Sequence, residues 1–271
     1  MSKDLVDISS GDEGTAEHDL VYEHRRGTVE LNLESLECLN TGSHLKDNII
    51  QLYTAYLLHE VCPDTTTSRV HMFDSIFYQK LTKIFGPEID IQKLKRLNRW
   101  LKDIDIFAKD FLVFPICSND HWFAIVVCNP WAVPEVGEPK ANGASHDKIP
   151  GIIVMDSLNV VDRSTTSIVR DFLDFEWRFR PKATTKRFSH QDLKDYFPRL
   201  SKQKNPHDCG IYMLSYIESF LKNPDEYFAL ARQEDMDGHR ALKGHVQLDR
   251  SQLKDLVLKL CRKIDQTARP S

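Results

Sequence analysis

The spacing of apolar and polar positions changes period several times along the chain, and each change predicts an element. V-E-L-N-L from position 29 alternates with period two, as a short strand does. Over 45–60, LKDNIIQLYTAYLLHE sets Ile49, Ile50, Tyr53, Tyr56 and Leu57 at helical spacing, with Ser43 as the expected N-cap and Pro63 as the stop. RVHMFDSIF over 69–77 reads as a strand running into a helix. IQKLKRLNRWL over 91–101 places Leu94, Leu97 and Leu101 on one stripe of a basic helix, whose charges suit a solvated face. Three apolar strands follow, at 111–115, 121–129 and 152–156. Between the last two, 130–150 is rich in Pro, Gly and Ala and predicts a hairpin with an oversized, mobile loop. Further helices are expected over 164–179, capped by Ser164 or Thr165, over 210–221, apolar on most sides, and over 249–264, amphipathic. Residues 188–200 read as a connection.

The first 27 residues are polar and charged, and read as a mobile leader or an excised boundary. That leaves one domain over 28–266 and a short tail over 267–271. No internal repeat is present. The pattern is α+β, with a small mixed central sheet surrounded by helices.

Composition narrows the function classes. A chain of 271 residues can bury a core without a disulfide or metal staple. A net charge of −4 argues against a nucleic-acid or membrane-surface binder, which is usually basic. No apolar run approaches the ~18 residues of a membrane span, and no signal-peptide core opens the chain. The expected partners therefore include neither nucleic acid nor membrane. The six cysteines are scattered, without a C-x-x-C pair or zinc-site spacing, and read as reduced thiols of a cytosolic or nuclear protein. No metal or cofactor is expected.

One cysteine differs from the rest. Cys209 lies in Q-K-N-P-H-D-C-G, a polar loop just before an apolar helix. A thiol there meets the positive end of the helix dipole and unpaired backbone N–H groups, both of which favour thiolate. A thiolate nucleophile needs a base. His121 follows the loop S-N-D and opens the strongest strand, so its backbone is fixed while its ring stands at a sheet edge. Asp156 ends the run I-I-V-M-D and can orient the imidazole if the two strands are neighbours. Gln203, six residues before Cys209, can turn its amide toward a developing oxyanion. Taken singly, each has a plainer reading: a capping cysteine, a strand-end histidine, a turn aspartate, a surface glutamine. Together, in this order, they point to thiol-protease chemistry.

These residues resemble the Ulp/sentrin-specific protease family, relatives of the adenovirus protease, over roughly 29–264. The family core H-W…D-S-L…Q-x(5)-D-C-G stands here as His121-Trp122, Asp156-Ser157-Leu158 and Gln203…Asp208-Cys209-Gly210. The order His–Asp–Cys differs from the Cys–His–Asn of papain-like enzymes, although the implied fold is papain-like/adenovirus-protease-like. L-K-D-N-I-I at 45–50 resembles L-N-D-x-I-I, with Lys46 in place of Asn and His44 where many members carry an aromatic. F-D-S-I-F-Y at 73–78 resembles F-x-x-F-F-Y, with Ile76 at the middle aromatic, and R-W-L-K-D-I-D-I-F around Trp100 resembles R-W-x(6)-F. S-L-E-C-L, V-C-N-P-W, Y-I-E-S-F-L-K-N-P and the insertion after Pro130 are most similar to the branch that trims poly-SUMO chains.

The resemblance implies a SUMO isopeptidase with His121, Asp156, Cys209 and Gln203 as its catalytic residues. It also implies that Trp100 and Trp122 flank a narrow tunnel for the modifier's C-terminal Gly-Gly. SUMO or SUMO-conjugated proteins are the implied partners, the enzyme a monomer, and its place the nucleus, with the cytoplasm as a second site. The same triad leaves other readings open: a deneddylase or deubiquitinase, a silent modifier-binding module, or an acetyltransferase.

Overall fold

The computed structural model describes residues 20–85, 101, 104–137, 148–180, 185–237 and 247–263. Its centre is a five-stranded mixed sheet in the order β3-β4-β5-β6-β7: Val70–Met72, Phe111–Ser118, His121–Cys128, Gly151–Met155 and Lys194–Tyr196. β4, β5 and β6 pair antiparallel, while β3 and β7 join the edges in parallel. Side chains of β5 alternate between two cores. Trp122, Ala124, Val126 and Cys128 pack toward α2 (Asp47–Tyr56) and α6 (Cys209–Lys222). Phe123, Ile125 and Val127 pack toward α4 (Ser75–Ile84) and α5 (Arg163–Arg178). Burial on both faces is why these strands read as continuous apolar runs instead of alternating ones.

A two-residue turn sets the register of the central hairpin. Asn119 and Asp120 both have positive φ (50° and 58°), the backbone of a type I′ turn whose twist suits paired strands. Ser118 therefore opposes His121, and β5 begins on the histidine. At the other end, Gly151 lets β6 approach its neighbours, because a Cβ there would stand 2.7 Å from the Tyr196 ring and 2.9 Å from Phe228.

The predicted strands are present, as are the helices read over 45–60, 164–179, 210–221 and 249–264 and the strand-to-helix passage at 69–77, which is β3 and α4, with several corrections. The leader does not run to residue 27: β1 (Leu20–His24) pairs with β2 (Gly27–Leu31) and with β8 (Arg262–Lys263), burying Leu20 and Tyr22. Five residues are too few to show a period, and one of their partners lies at the far end of the chain. α2 starts after Lys46 without a side-chain cap from Ser43 and runs into a π-turn at Leu57–Val61. α5 is capped by Asp162, whose carboxylate accepts from the Ser164 N–H, so Ser164 and Thr165 lie inside the helix. The last helix, α8 (Arg250–Leu260), is shorter than expected because the chain turns into β8.

α1 (Leu33–Glu37), α3 (Asp64–Thr67) and α7 (Pro224–Asp237) have no counterpart in the sequence reading. The connection at 188–200 contains the edge strand β7. Part of the 130–150 loop is fixed: Trp131 Nε1 donates to Asp110, Val133 is buried, and Val136 N–H donates to the Thr185 carbonyl. The predicted helix over 91–101 lies outside the described residues, except for Leu101.

Candidate active site

Three element ends converge. β5 begins with His121, β6 ends one residue before Asp156, and α6 begins with Cys209. β5 and β6 are adjacent and antiparallel, with Ala124 opposite Met155, so the start of one meets the end of the other. His121 Nε2 lies 2.7 Å from Asp156 Oδ1, and only 12% of the histidine side chain is exposed.

Asp156 is held on every side. It accepts backbone N–H bonds from Leu158 at 2.9 Å, Val160 at 2.6 Å and Val161 at 3.0 Å. Burial pushes its carboxyl up, but the His121 bond and these three N–H donors outweigh it and hold the group down at about 2. The turn that aims them passes through Asn159, whose φ of 56° an asparagine tolerates. Asp156 is thus a fixed anion beside the imidazole.

Burial lowers the basicity of His121, yet the bond to the Asp156 carboxylate and the nearness of the Cys209 sulfur raise it to about 9. With Nε2 engaged by Asp156, Nδ1 is the nitrogen left for the thiol. A base raised in this way beside a thiol at a helix start is the pairing that thiol nucleophiles use.

The helix start behind Cys209 is left open. Asp208 occupies the N-cap position but makes no side-chain cap bond. Its carboxylate turns instead to Arg250 Nε at 2.6 Å and Asn205 Nδ2 at 2.6 Å. The first N–H groups of α6 therefore keep their positive potential for the sulfur and for an oxyanion. Cys209 itself is 1% exposed. All six cysteines are free, and burial raises the other five thiols, which leaves them as inert packing groups.

Gln203 joins the site through its neighbours. Its Oε1 accepts from Ser157 Oγ at 2.5 Å, and its Nε2 donates to the Asn205 carbonyl at 2.7 Å. These partners fix the amide orientation and occupy one of its two hydrogens. Trp122 is 2% exposed, and its indole N–H donates to the Leu45 carbonyl at 2.8 Å. In this structure it is a core residue that secures the loop beside the thiol. Trp100 lies outside the described residues.

Two contributors have no role in the sequence reading, which passes over Arg250 and notes His44 only as a departure from the family's aromatic. Arg250, at the start of α8, binds the Asp208 carboxylate and the carbonyls of Cys38, Asn40, Ser43 and His207. His44 Nδ1 stands 4.0 Å from Cys209 Sγ. A separate cavity of about 350 Å³, between the β1–β2 hairpin and α2, is lined by His24, Arg26, His59 and His71 and contains no triad residue. Among the described residues, no group of three His, Cys, Asp or Glu is placed to hold a metal ion.

Residues 43–247 match the Ulp1 protease family, C-terminal catalytic domain. The chain belongs to this family. Sentrin-specific protease 7 of Mus musculus is 28% identical over 288 residues, covering 87% of this chain and 27% of that protein. The probable ubiquitin-like-specific protease 2B of Arabidopsis thaliana is 30% identical over 199 residues, covering 71% and 21%. The chain thus spans about a quarter of the length of these curated relatives.

The fold has solved counterparts. A crystal structure of a de-sumoylating protease superposes with a TM-score of 0.71 at 20% identity, covering 89% of this chain and 91% of that one. The C-terminal Ulp1 protease domain in complex with SMT3, the yeast ortholog of SUMO, gives 0.53 at 20% identity, covering 90% and 89%. The expected family and papain-like α+β fold are both found.

Proposed function

We propose that this chain is a cysteine isopeptidase that releases a SUMO-type modifier from its conjugates by cutting after the modifier's C-terminal Gly-Gly. The observation that carries the reading is the buried His121–Asp156 pair at the end of the sheet, together with Cys209 at an uncapped helix start. The names of the relatives, sentrin-specific and ubiquitin-like-specific, favour a ubiquitin-like modifier as substrate. Poly-SUMO trimming, action as a monomer and a nuclear site of action belong to the same proposal. The poly-SUMO part rests on the similarity to sentrin-specific proteases 7 and 6, while the monomeric state and the nuclear site rest on the sequence resemblance alone.

The Cys209 thiolate attacks the carbonyl carbon of the terminal glycine, and the carbonyl oxygen takes the electron pair. The Cys209 N–H and the second Gln203 amide hydrogen face that oxyanion. The intermediate collapses as His121 Nδ1 gives its proton to the departing lysine amine, leaving a thioester. His121, now neutral, takes a proton from water, which attacks the thioester and frees the modifier's carboxylate. The thiolate is restored.

The test is hydrolysis of C-terminal aminomethylcoumarin derivatives of SUMO, Nedd8 and ubiquitin by the chain and by Cys209→Ala. SUMO is expected to be the preferred substrate, with turnover lost in the variant. Normal turnover by Cys209→Ala would refute the mechanism, and preference for Nedd8 or ubiquitin would reassign the modifier.

A further inference from the structure

A second imidazole reaches the nucleophile. His44 Nδ1 is 4.0 Å from Cys209 Sγ, at the outer range of an N–H···S contact. His44 is exposed, yet the backbone on either side of it is tied down. On one side, the Ser43 carbonyl accepts from the Arg250 guanidinium. On the other, the Leu45 carbonyl accepts from the Trp122 indole. The Leu45 side chain also lies so close to Gly210 that a Cβ on the glycine would meet it at 3.0–3.1 Å. Arg250 donates as well to the His207 carbonyl and the Asp208 carboxylate, so one guanidinium joins the His44 loop to the Cys209 loop. A side chain on a backbone held this way is preorganised toward the sulfur.

We propose that His44 is a second hydrogen-bond donor to the Cys209 thiolate, giving its Nδ1–H to the sulfur while His121 supplies the charge. A neutral ring in that tautomer stabilises S⁻ through a bond dipole and places no second cation beside the His121 imidazolium. The contact serves twice: in the resting enzyme, and when thioester hydrolysis expels the sulfur as thiolate. His44 moves no proton in this role. The inference rests on Cys209 being the nucleophile.

The test is the pH dependence of Cys209 alkylation by iodoacetamide in the full chain, read by peptide mass mapping, which needs no modifier substrate. The variants are His44→Ala, His44→Phe and His44→Asn, whose amide nitrogen can occupy the place of Nδ1. The other titratable and charged groups around the sulfur are unchanged in all three: His121 backed by Asp156, Cys117 on β4, Lys46 and Asp47 before and at the start of α2, His207 and Asp208, and Arg250. Alanine and phenylalanine are expected to move the alkylation midpoint up by roughly one pH unit and to lower kcat/KM by about tenfold, while asparagine keeps most of both.

Superposable alkylation profiles for all four proteins would overturn the proposal. So would a rise in KM alone, which would make His44 only a wall of the substrate cleft. A wild-type midpoint at the ordinary ~8.5 of a free thiol would instead remove the nucleophile reading itself.

Discussion

His121 Nε2 and Asp156 Oδ1 are 2.7 Å apart, and this bond decides which edge of the imidazole is left for the thiol. Three backbone N–H groups hold the carboxylate from behind, so the ring is aimed by the turn after β6. Asp156→Asn keeps the size of the side chain but loses its charge and can place an NH2 against those N–H donors. The expected loss in kcat/KM is about 10²–10⁴-fold, with the fold retained. Steady-state hydrolysis together with a circular-dichroism melt checks it. A loss below about threefold would remove Asp156 from the mechanism.

The same bond sets the alkaline limit. His121 is raised from its ordinary 6.5 to about 9, so the charged ring is the form that the fold stabilises. Its contribution to stability is fully present below the unfolded value near 6.5 and is lost as pH rises through about 9. The imidazolium therefore persists through neutral pH, and kcat/KM should fall on the alkaline side near 9. In Asp156→Asn that limb should move toward the ordinary imidazole value. A limb that stays in place would mean that some other group titrates there.

The candidate triad is legible in the sequence because each member stands at the end of a strongly patterned element. His121 opens the apolar run of β5, Asp156 closes that of β6, and Cys209 precedes the apolar helix α6. Gln203 is legible from its spacing to Cys209, but its anchors, Ser157 and Asn205, appear only once β6 and the Cys209 loop are brought together. Arg250 could not be found this way. It is one arginine on an ordinary amphipathic helix, and apart from the Asp208 carboxylate its partners are backbone carbonyls from two distant loops, which carry no residue-type signal. His44 was visible as a departure from the family's aromatic, whereas its approach to Sγ depends on that same packing.

Arg250 should therefore behave as a positioning residue. Only 11% of its side chain is exposed, and its loss leaves Asp208 Oδ1 and several loop carbonyls without this donor, while Asn205 still holds Asp208 Oδ2. Arg250→Ala is expected to cost about 3–5 kcal/mol of stability, by analogy with breaking a buried ion pair. Arg250→Lys should recover little, because a single ammonium cannot span the five acceptors the fork reaches. Urea denaturation gives the stability. At temperatures where the variant is folded, kcat should still be reduced, since Asp208 Oδ1, no longer bound by Arg250, can turn to cap α6 and compete with the oxyanion for its N–H groups. Unchanged kcat in the folded variant would confine Arg250 to a stability role.

Gly210, next to Cys209, stands where the Leu45 loop presses on the start of α6. It is the second residue of α6, and an added Cβ would meet Leu45 Cδ1 at 3.0 Å and its Cβ and Cγ at 3.1 Å. The Leu45 backbone cannot retreat freely, because its carbonyl is held by the buried Trp122 indole. Gly210→Ala should therefore overpack this contact and cost about 1–3 kcal/mol, despite alanine's better helix propensity. Leu45→Ala opens a cavity at the same place and should cost about 2–5 kcal/mol alone. The two changes meet at one contact, so they should not add: Gly210→Ala should cost much less in the Leu45→Ala background, leaving a coupling of about 1 kcal/mol or more. A double-mutant cycle by urea denaturation measures it. Simple additivity would show that the glycine is required for some reason other than the approach of Leu45.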